Sequence, residues 1–560
     1  MGTESEFSHR TRTAALAAMT AEPVDVLVVG GGITGAGIAR DAALRGFRTA
    51  LVDKGDFAGG TSSHSSRLVH GGIRYLEQYA FHLVREASRE RRILLGIAPH
   101  LVRPLPFLLP AYRGARIPPW RLRAGLWLYD LLALFRNVHR HRWLRRQAAL
   151  RLEPGLRDRD LLGAALYYDA QTDDARLTLA TLRAAAQVGA LVANYAEVTA
   201  FLKPDGQVRG AHVRDAVSGA AGTVRALVVV NATGPWVDGL RRLDDPAARP
   251  LLRPTKGAHV AVPRGRIGHT YAATLTSPID GRVMFVLPWG ELSYIGTTDT
   301  DEHGTPDDLR ATGEDVIYLL RSANWFFPTA RLSPGDVVSS WAGLRPLVRA
   351  EDDVAPSAAS REHRLEAGGS GLVTIAGGKL TTYRAMAAET VDLVAERLHA
   401  LDGRPRAPRP PTDRLPLPGG ETPDLDGLVK AAMARGVREP TARHLVSAYG
   451  SEAAAVLNAV DKERALGRPI IAGRPELWAE VTHAVERGMA LRLADVLIRR
   501  LHLFYESRDQ GLAASGAVAD QMAAALAWDT ARRADEVAAY RAEVERSRAF
   551  SLEVAGLTKA

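Results

Sequence analysis

The sequence predicts an α/β protein in three parts: a parallel sheet assembled from distant stretches of chain, a β-rich domain inserted between those stretches, and an all-helical C-terminal domain. Three observations carry this. From Val24 the chain reads VDVLVVG, GGITGAGIARDAALRG and FRTALVDK, which is a strand, a glycine turn opening a helix, and a second strand. Far downstream, TIAGGKLTTYRAMAAETVDLVAERL again reads strand, turn, helix. Past residue 420, alanine-rich segments such as LVKAAMARGV and DQMAAALAWDTARRADEVAAYRAEVERS keep helical spacing.

Taken in order, residues 1–22 carry Glu4 and Glu6 where a signal peptide would be basic, and their apolar stretch is only TAALAAM, so a flexible cytosolic tail is expected. Residues 23–402 hold the discontinuous βαβ domain. Within them LTLATLRAAAQVGA reads as helix, ALVVVNATG as the end of a strand, and GAHVAVP, RVMFVLPW and LSYIGTTD as the strands of the insertion. Residues 403–420, GRPRAPRPPTDRLPLPGG, hold too much proline and glycine for a continuous helix or a central strand and read as a linker. Residues 421–560 form the helical cap.

A chain of 560 residues suggests three or four structural units at roughly 150 residues each. With 46% hydrophobic and 24% charged residues it is too apolar to be disordered. The absence of cysteine excludes disulfides, thiolate metal sites, cysteine nucleophiles and a cysteinyl tether, so any redox chemistry belongs to a bound cofactor. No run approaches the roughly 18 uninterrupted apolar residues of a spanning helix. The formal charge of +9 suits nucleic acid, anionic lipid or a phosphorylated substrate, or reflects an arginine-rich proteome. No zinc-ligand spacing, RNA-binding signature or repeat accompanies it, so neither a metal nor nucleic acid is expected.

Gly30, Gly32 and Gly35 form GxGxxG directly after a strand and at a helix start, where backbone amides and the helix dipole hold a pyrophosphate. Asp53 ends the next strand, placed to meet a ribose hydroxyl. Strand, helix and acid in register define a Rossmann-like dinucleotide site. No second fingerprint appears, since GGSGLV at 368–373 leads into a strand. The residues alone leave open a nicotinamide enzyme or an FAD enzyme with another electron partner.

Seven runs occur in order: TSSHSSRLVHGGIRYLE (61–77), TDDARL (172–177), NATGPWVD (231–238), KGAHV (256–260), IGTTD (295–299), GLRPL (343–347) and GGKLTTYR (377–384). Together they resemble the FAD-dependent, respiratory-type glycerol-3-phosphate dehydrogenase family over about residues 22 to 510. The resemblance implies a D-amino-acid-oxidase-like fold, with FAD between distant segments, a β-rich substrate domain and a helical cap. It assigns Gly30, Gly32, Gly35 and Asp53 to the ADP end of FAD. Thr61, Ser62 and Ser63 line its flavin end, Ala232, Thr233 and Gly234 pack against it, and Gly377, Gly378, Lys379, Leu380 and Thr381 form the closing loop.

Around the substrate the same resemblance places Arg74, Tyr75, His259, Arg345, Arg361 and Lys379, with His259, Arg345 and Lys379 as the catalytic set. The chemistry agrees, because guanidinium forks suit a phosphate dianion and oxidation of a secondary alcohol needs an acceptor for the hydroxyl proton. His259 is the leading base, against a purely structural histidine or a proton steered by Lys379 or an arginine. The implied reaction is oxidation of sn-glycerol 3-phosphate to dihydroxyacetone phosphate, with electrons passed through FAD to a membrane quinone. The alternatives are an oxidase that releases peroxide and an amine or amino-acid oxidase on the same scaffold.

The resemblance also implies peripheral attachment to the cytoplasmic face of the cell membrane. LRAGLWLYDLLALF (122–135) beside RNVHRHRWLRR (136–146) reads either as a buried helix with a solvated basic face or as part of an interfacial surface on anionic lipid. A second copy of the chain, as a homodimer, stays among the partners the sequence leaves open.

Overall fold

Strand Val24–Val29 is buried apart from Asp25, which requires a sheet covered on both faces. The computed structural model describes residues 6–76, 79–115, 117–134, 137–302, 304–349 and 362–557, with the backbone alone of Ile73, Arg74 and Leu557. In it Thr49–Val52 and Ala221–Asn231 flank Val24–Val29 in parallel. Leu191–Ala193 extends one side, and Val373–Gly377 with the antiparallel edge strand His363–Ala367 extends the other. The chain builds one side first and then returns to build the other. The switch point, where such sheets bind ligands, therefore falls between Val24–Val29 and Ala221–Asn231.

Helices Ile33–Leu44, Asp174–Gln187 and Tyr383–Asp402 cover one face through side chains such as Ile38, Leu182 and Val391. The opposite face, presenting Leu27 and Val29, is covered by the hairpin of Ala196–Phe201 with Gly210–Asp215 and by a helix at His9–Ala21.

That last helix corrects the expected flexible tail. Ser8 caps it, accepting from the Arg10 amide while the Thr11 hydroxyl accepts from the Ser8 amide. Ala15 and Met19, one turn apart, are buried against the sheet. Arg12 is sealed in, donating to the Asn194 carbonyl at 2.8 Å and to Asp215 at 2.5 Å. A short apolar stretch is enough to bury one face of a three-turn helix.

Among the described residues the second sheet has ten strands, in which Leu252–Pro263 runs between Ser339–Val348 and Leu292–Gly296. Its register sets His259 opposite Trp341 on one side and Gly296 on the other.

Residues 403–424 hold neither helix nor strand, yet they are not a free hinge. Leu417 is fully buried with its amide donating to the Ile97 carbonyl, and Arg384 donates to Thr412. Beyond them, the helices from Leu425–Ala434 to Ala453–Lys462 pack on one another around Leu445 and Val456, while the later ones, to Phe550–Leu557, share cores with the second sheet. Leu497, Tyr505 and Tyr540 lie in one apolar cluster with Phe107, Tyr167 and Trp341.

A buried ionic clasp ties this cap to the first sheet. Asp56 accepts from Arg500 at 2.5 and 2.9 Å, from Arg499 at 2.5 Å and from Asn194 at 3.1 Å, and Arg499 also pairs with Asp495. Burial works against the Asp56 carboxylate, but Arg500 and Arg499 outweigh it and hold its pKa down at about 2.

Asp56→Asn should therefore leave two buried guanidiniums short of charge and lower stability by about 3–5 kcal/mol at neutral pH. A carboxylate whose folded pKa is depressed contributes stability above about pH 4 and loses it as pH falls towards 2. Thermal melts of wild type and variant should converge across that window. A gap that stays constant down to the lower limit would exclude the clasp as its source.

Candidate active site

The fingerprint glycines divide their work. Gly30 has φ +112°, and a Cβ there would lie 2.6 Å from the Ala232 carbonyl oxygen. A Cβ on Gly35 would overlap the Gly30 carbonyl oxygen. At Gly32 it would meet only the Ser62 hydroxyl, at 3.2 Å, so this position faces open space at the start of Ile33–Leu44. Ser62 Oγ accepts from the Ile33 amide at 3.0 Å, capping the helix from a distant loop.

A cavity of about 630 Å³ opens at this switch point. Its wall includes Gly30, Gly32, Asp53, Thr61, Ser62, Ala232, Thr233, Gly234, Gly377, Gly378, Lys379, Leu380 and Thr381, and at the far end Tyr75, His259 and Arg345. Gly35 and Ser63 are not on the wall: Gly35 supports the turn, and Ser63 Oγ donates to the Ala58 carbonyl. Arg361 and the side chain of Arg74 lie outside the described residues.

Local contacts explain the placements. Asp53 accepts from the Gly31 and Gly55 amides at 2.6 and 2.8 Å, while burial outweighs these bonds and pushes its carboxyl up to about 6. Gly377 and Gly378 adopt φ +78° and +82°, turning the chain sharply under the cavity. Lys379 Nζ lies 3.7 Å from the centre of the Tyr75 ring. Thr381 Oγ1 accepts from the His70 amide, linking the closing loop to the HGGIRY run.

Arg345 is held by the IGTTD run, donating to Asp299 at 3.0 Å, Thr297 Oγ1 at 2.8 Å and the Thr298 carbonyl at 3.0 Å. Its guanidinium lies over Gly257, where a Cβ would overlap it, two residues from His259 on the same face of the strand. His259 is buried, stacks on Trp341 and meets Ser66 Oγ at 2.9 Å. Burial first, then the charges of Arg345 and Arg67, drive the imidazole down to about 3, so it is neutral at physiological pH.

Several wall residues escaped sequence reasoning. His64, Ser65, Ser66 and His70 lie in a run already singled out, yet nothing in the run distinguishes which of its side chains face the cavity. Lys54, Trp236 and Arg546 meet around Asp307 at the mouth: Lys54 Nζ pairs with its carboxylate at 2.8 Å, Trp236 Nε1 donates to it at 3.1 Å, and Arg546 donates to its carbonyl. Arg546 comes from the last long helix, which no motif ties to the site.

Residues 25–384 match the family pattern described as FAD dependent oxidoreductase, and residues 410–533 match the C-terminal domain of alpha-glycerophosphate oxidase. The fold and site thus define an FAD-dependent oxidoreductase. Over 529 residues the chain is 41% identical to glycerol-3-phosphate dehydrogenase 2 of Mycobacterium tuberculosis (strain H37Rv), covering 94% of this chain and 88% of that one. It is 37% identical over 533 residues to the aerobic glycerol-3-phosphate dehydrogenase of Bacillus subtilis, covering 94% and 95%. The X-ray structure of the glycerol-3-phosphate dehydrogenase from Bacillus halodurans complexed with FAD superposes with a TM-score of 0.81 at 33% identity, over 97% and 98% of the two chains. The chain belongs to the FAD-dependent glycerol-3-phosphate dehydrogenase family, and its cofactor is FAD.

The residues present fit that cofactor. The Cβ-free Gly32 leaves a cradle at a helix N-terminus, Asp53 stands beside it, and the cavity continues past Thr61 and Thr233 to the Gly377–Thr381 loop.

Gly32 and Gly35 should accordingly fail in different ways. Gly35→Ala should destabilise the protein itself, by about 1–3 kcal/mol or more, because backbone must move. Gly32→Val should fold with a near-normal apo melting temperature but purify with little FAD. Comparing apo-protein melts with flavin content checks both, and full FAD occupancy in Gly32→Val would contradict the role given to that cradle.

Proposed function

We propose that the protein oxidises sn-glycerol 3-phosphate to dihydroxyacetone phosphate and passes the electrons to a membrane quinone. The observation that carries this reading is a neutral, buried His259 beside Arg345 at one end of the FAD cavity. Bound FAD supplies the two-electron acceptor for hydride from the carbinol carbon and the route by which electrons leave. Arg345, fixed by Asp299 and Thr297, offers a guanidinium to the substrate phosphate, and Lys379 adds a second cation on the same wall. His259 takes up the hydroxyl proton. A phosphate dianion beside Arg345 offsets one of the charges that depress the imidazole, so binding of the right substrate strengthens the base.

Arg345→Ala should lower kcat/KM for glycerol 3-phosphate by about one to two decades, the effect of losing roughly 1.5–3 kcal/mol of charged hydrogen bonding, and should affect glycerol far less. Arg345→Lys should restore part of the loss. His259→Ala should lower the limiting rate of anaerobic flavin reduction with binding little changed. Equal losses for both substrates in Arg345→Ala would refute the phosphate role.

For membrane contact, helix Pro119–Leu132 supports the interfacial reading. Leu126, Tyr129 and Asp130 are buried, while Trp120 (71% exposed) and Trp127 (59%) face solvent with Leu131 and Leu134, close in sequence to Arg121 and Arg123. The basic tract beyond contributes the edge strand Arg142–Arg145. Among the described residues no helix is long and apolar enough to cross a membrane. Replacing Trp120 and Trp127 with serine should weaken binding to anionic vesicles, read by co-sedimentation at low salt. Unchanged binding would move the contact elsewhere, and stoichiometric peroxide in place of quinone reduction would favour an oxidase.

A further inference from the structure

We infer that Ser66 relays the substrate's hydroxyl proton to His259, so that the imidazole does not meet the substrate directly. The inference rests on the reading of His259 as the base. The imidazole cannot swing to reach a substrate. Trp341 stacks on it at 5.2 Å with the planes 6° apart, and a Cβ on Gly296, its other cross-strand neighbour, would overlap it. Nδ1 is buried. Nε2 is 2.9 Å from Ser66 Oγ, and Ser66 stands on the cavity wall. A hydroxyl approaching Nε2 along its lone pair meets the serine first.

Both neighbours of Ser66 are anchored. Ser65 donates from its amide and hydroxyl to Asp174 at 3.1 and 2.6 Å. Arg67 is buried among Trp289, Tyr294 and Tyr505, with its carbon 4.8, 5.2 and 5.0 Å from their ring centres, and its Nε is 3.8 Å from Asp174. These contacts fix the backbone on either side, so the Ser66 hydroxyl holds its place between cavity and imidazole.

The step balances. As the C2–H bond breaks and hydride departs to the bound cofactor, the substrate O–H bond breaks and its electron pair becomes the new C=O bond. That proton goes to Ser66 Oγ, while the serine's own proton goes to His259 Nε2. Two electrons and one hydrogen leave on the cofactor, one proton rests on the imidazole, and the serine is regenerated.

The test compares Ser66→Ala, Ser66→Thr and His259→Asn in the full-length, FAD-loaded protein, with flavin content and melting temperature confirming that each is folded. Ser66→Ala should lower the limiting rate of anaerobic flavin reduction by glycerol 3-phosphate by about 100-fold, with little change in half-saturating concentration. Ser66→Thr should recover much of that rate. Independently of turnover, the ¹⁵N resonance of His259 Nε2, assigned by its loss in His259→Asn, should shift in Ser66→Ala without substrate. Wild-type reduction by Ser66→Ala, a loss confined to half-saturation, or an unmoved Nε2 resonance would each overturn the relay. If His259→Asn is crippled while Ser66→Ala is not, the base stands and the relay alone falls. If His259→Asn is also unaffected, the base reading falls with it.

Discussion

No side chain fits between the ends of Val24–Val29 and Ala221–Asn231. The Ala232 amide donates to the Val29 carbonyl at 2.9 Å, and the Gly30 and Gly35 backbones pack where a Cβ would collide. This approach lets Ile33–Leu44 start directly at the cavity and lie flat on the sheet. The same helix then meets Tyr383–Asp402 at Gly37, where a Cβ would come within 2.9 Å of the Tyr383 ring. Seating that second helix brings the Gly377–Thr381 loop to the cavity, so one backbone contact fixes parts of the site that are some 350 residues apart in sequence.

The charge pattern of the site follows from burial. The fields of Arg345 and Arg67, added to desolvation, keep the His259 imidazole neutral. On the proposed reading, a dianion would offset this positive field, whereas a neutral alcohol would leave it unchanged. Elsewhere the same chemistry serves the fold, where Asp56 gathers Arg499 and Arg500 to hold the cap against the sheet.

The Rossmann-like unit, the β-rich insertion and most of the wall were legible because each is written locally: a strand, a glycine turn, an acid at the next strand's end. The ordered runs were legible as a set, but not the contacts that bind them. Ser65 grips Asp174, IGTTD grips Arg345, Gly257 makes room for that arginine, and His259 meets Ser66. Linear order does not encode such pairings. The Asp56–Arg499 pair, 443 positions apart, left no pattern at all. The N-terminal helix was missed for another reason. Its apolar face is two residues wide, below what periodicity reveals, although the Ser8 cap was present in the sequence.

The most direct measurement mixes the FAD-loaded protein with glycerol 3-phosphate in the absence of oxygen and follows the flavin's visible absorbance, with glycerol and glycine as controls. The expected result is bleaching by glycerol 3-phosphate alone, matched by one equivalent of dihydroxyacetone phosphate per flavin. A flavin that stays oxidised with glycerol 3-phosphate and bleaches with glycine would contradict the account at its centre.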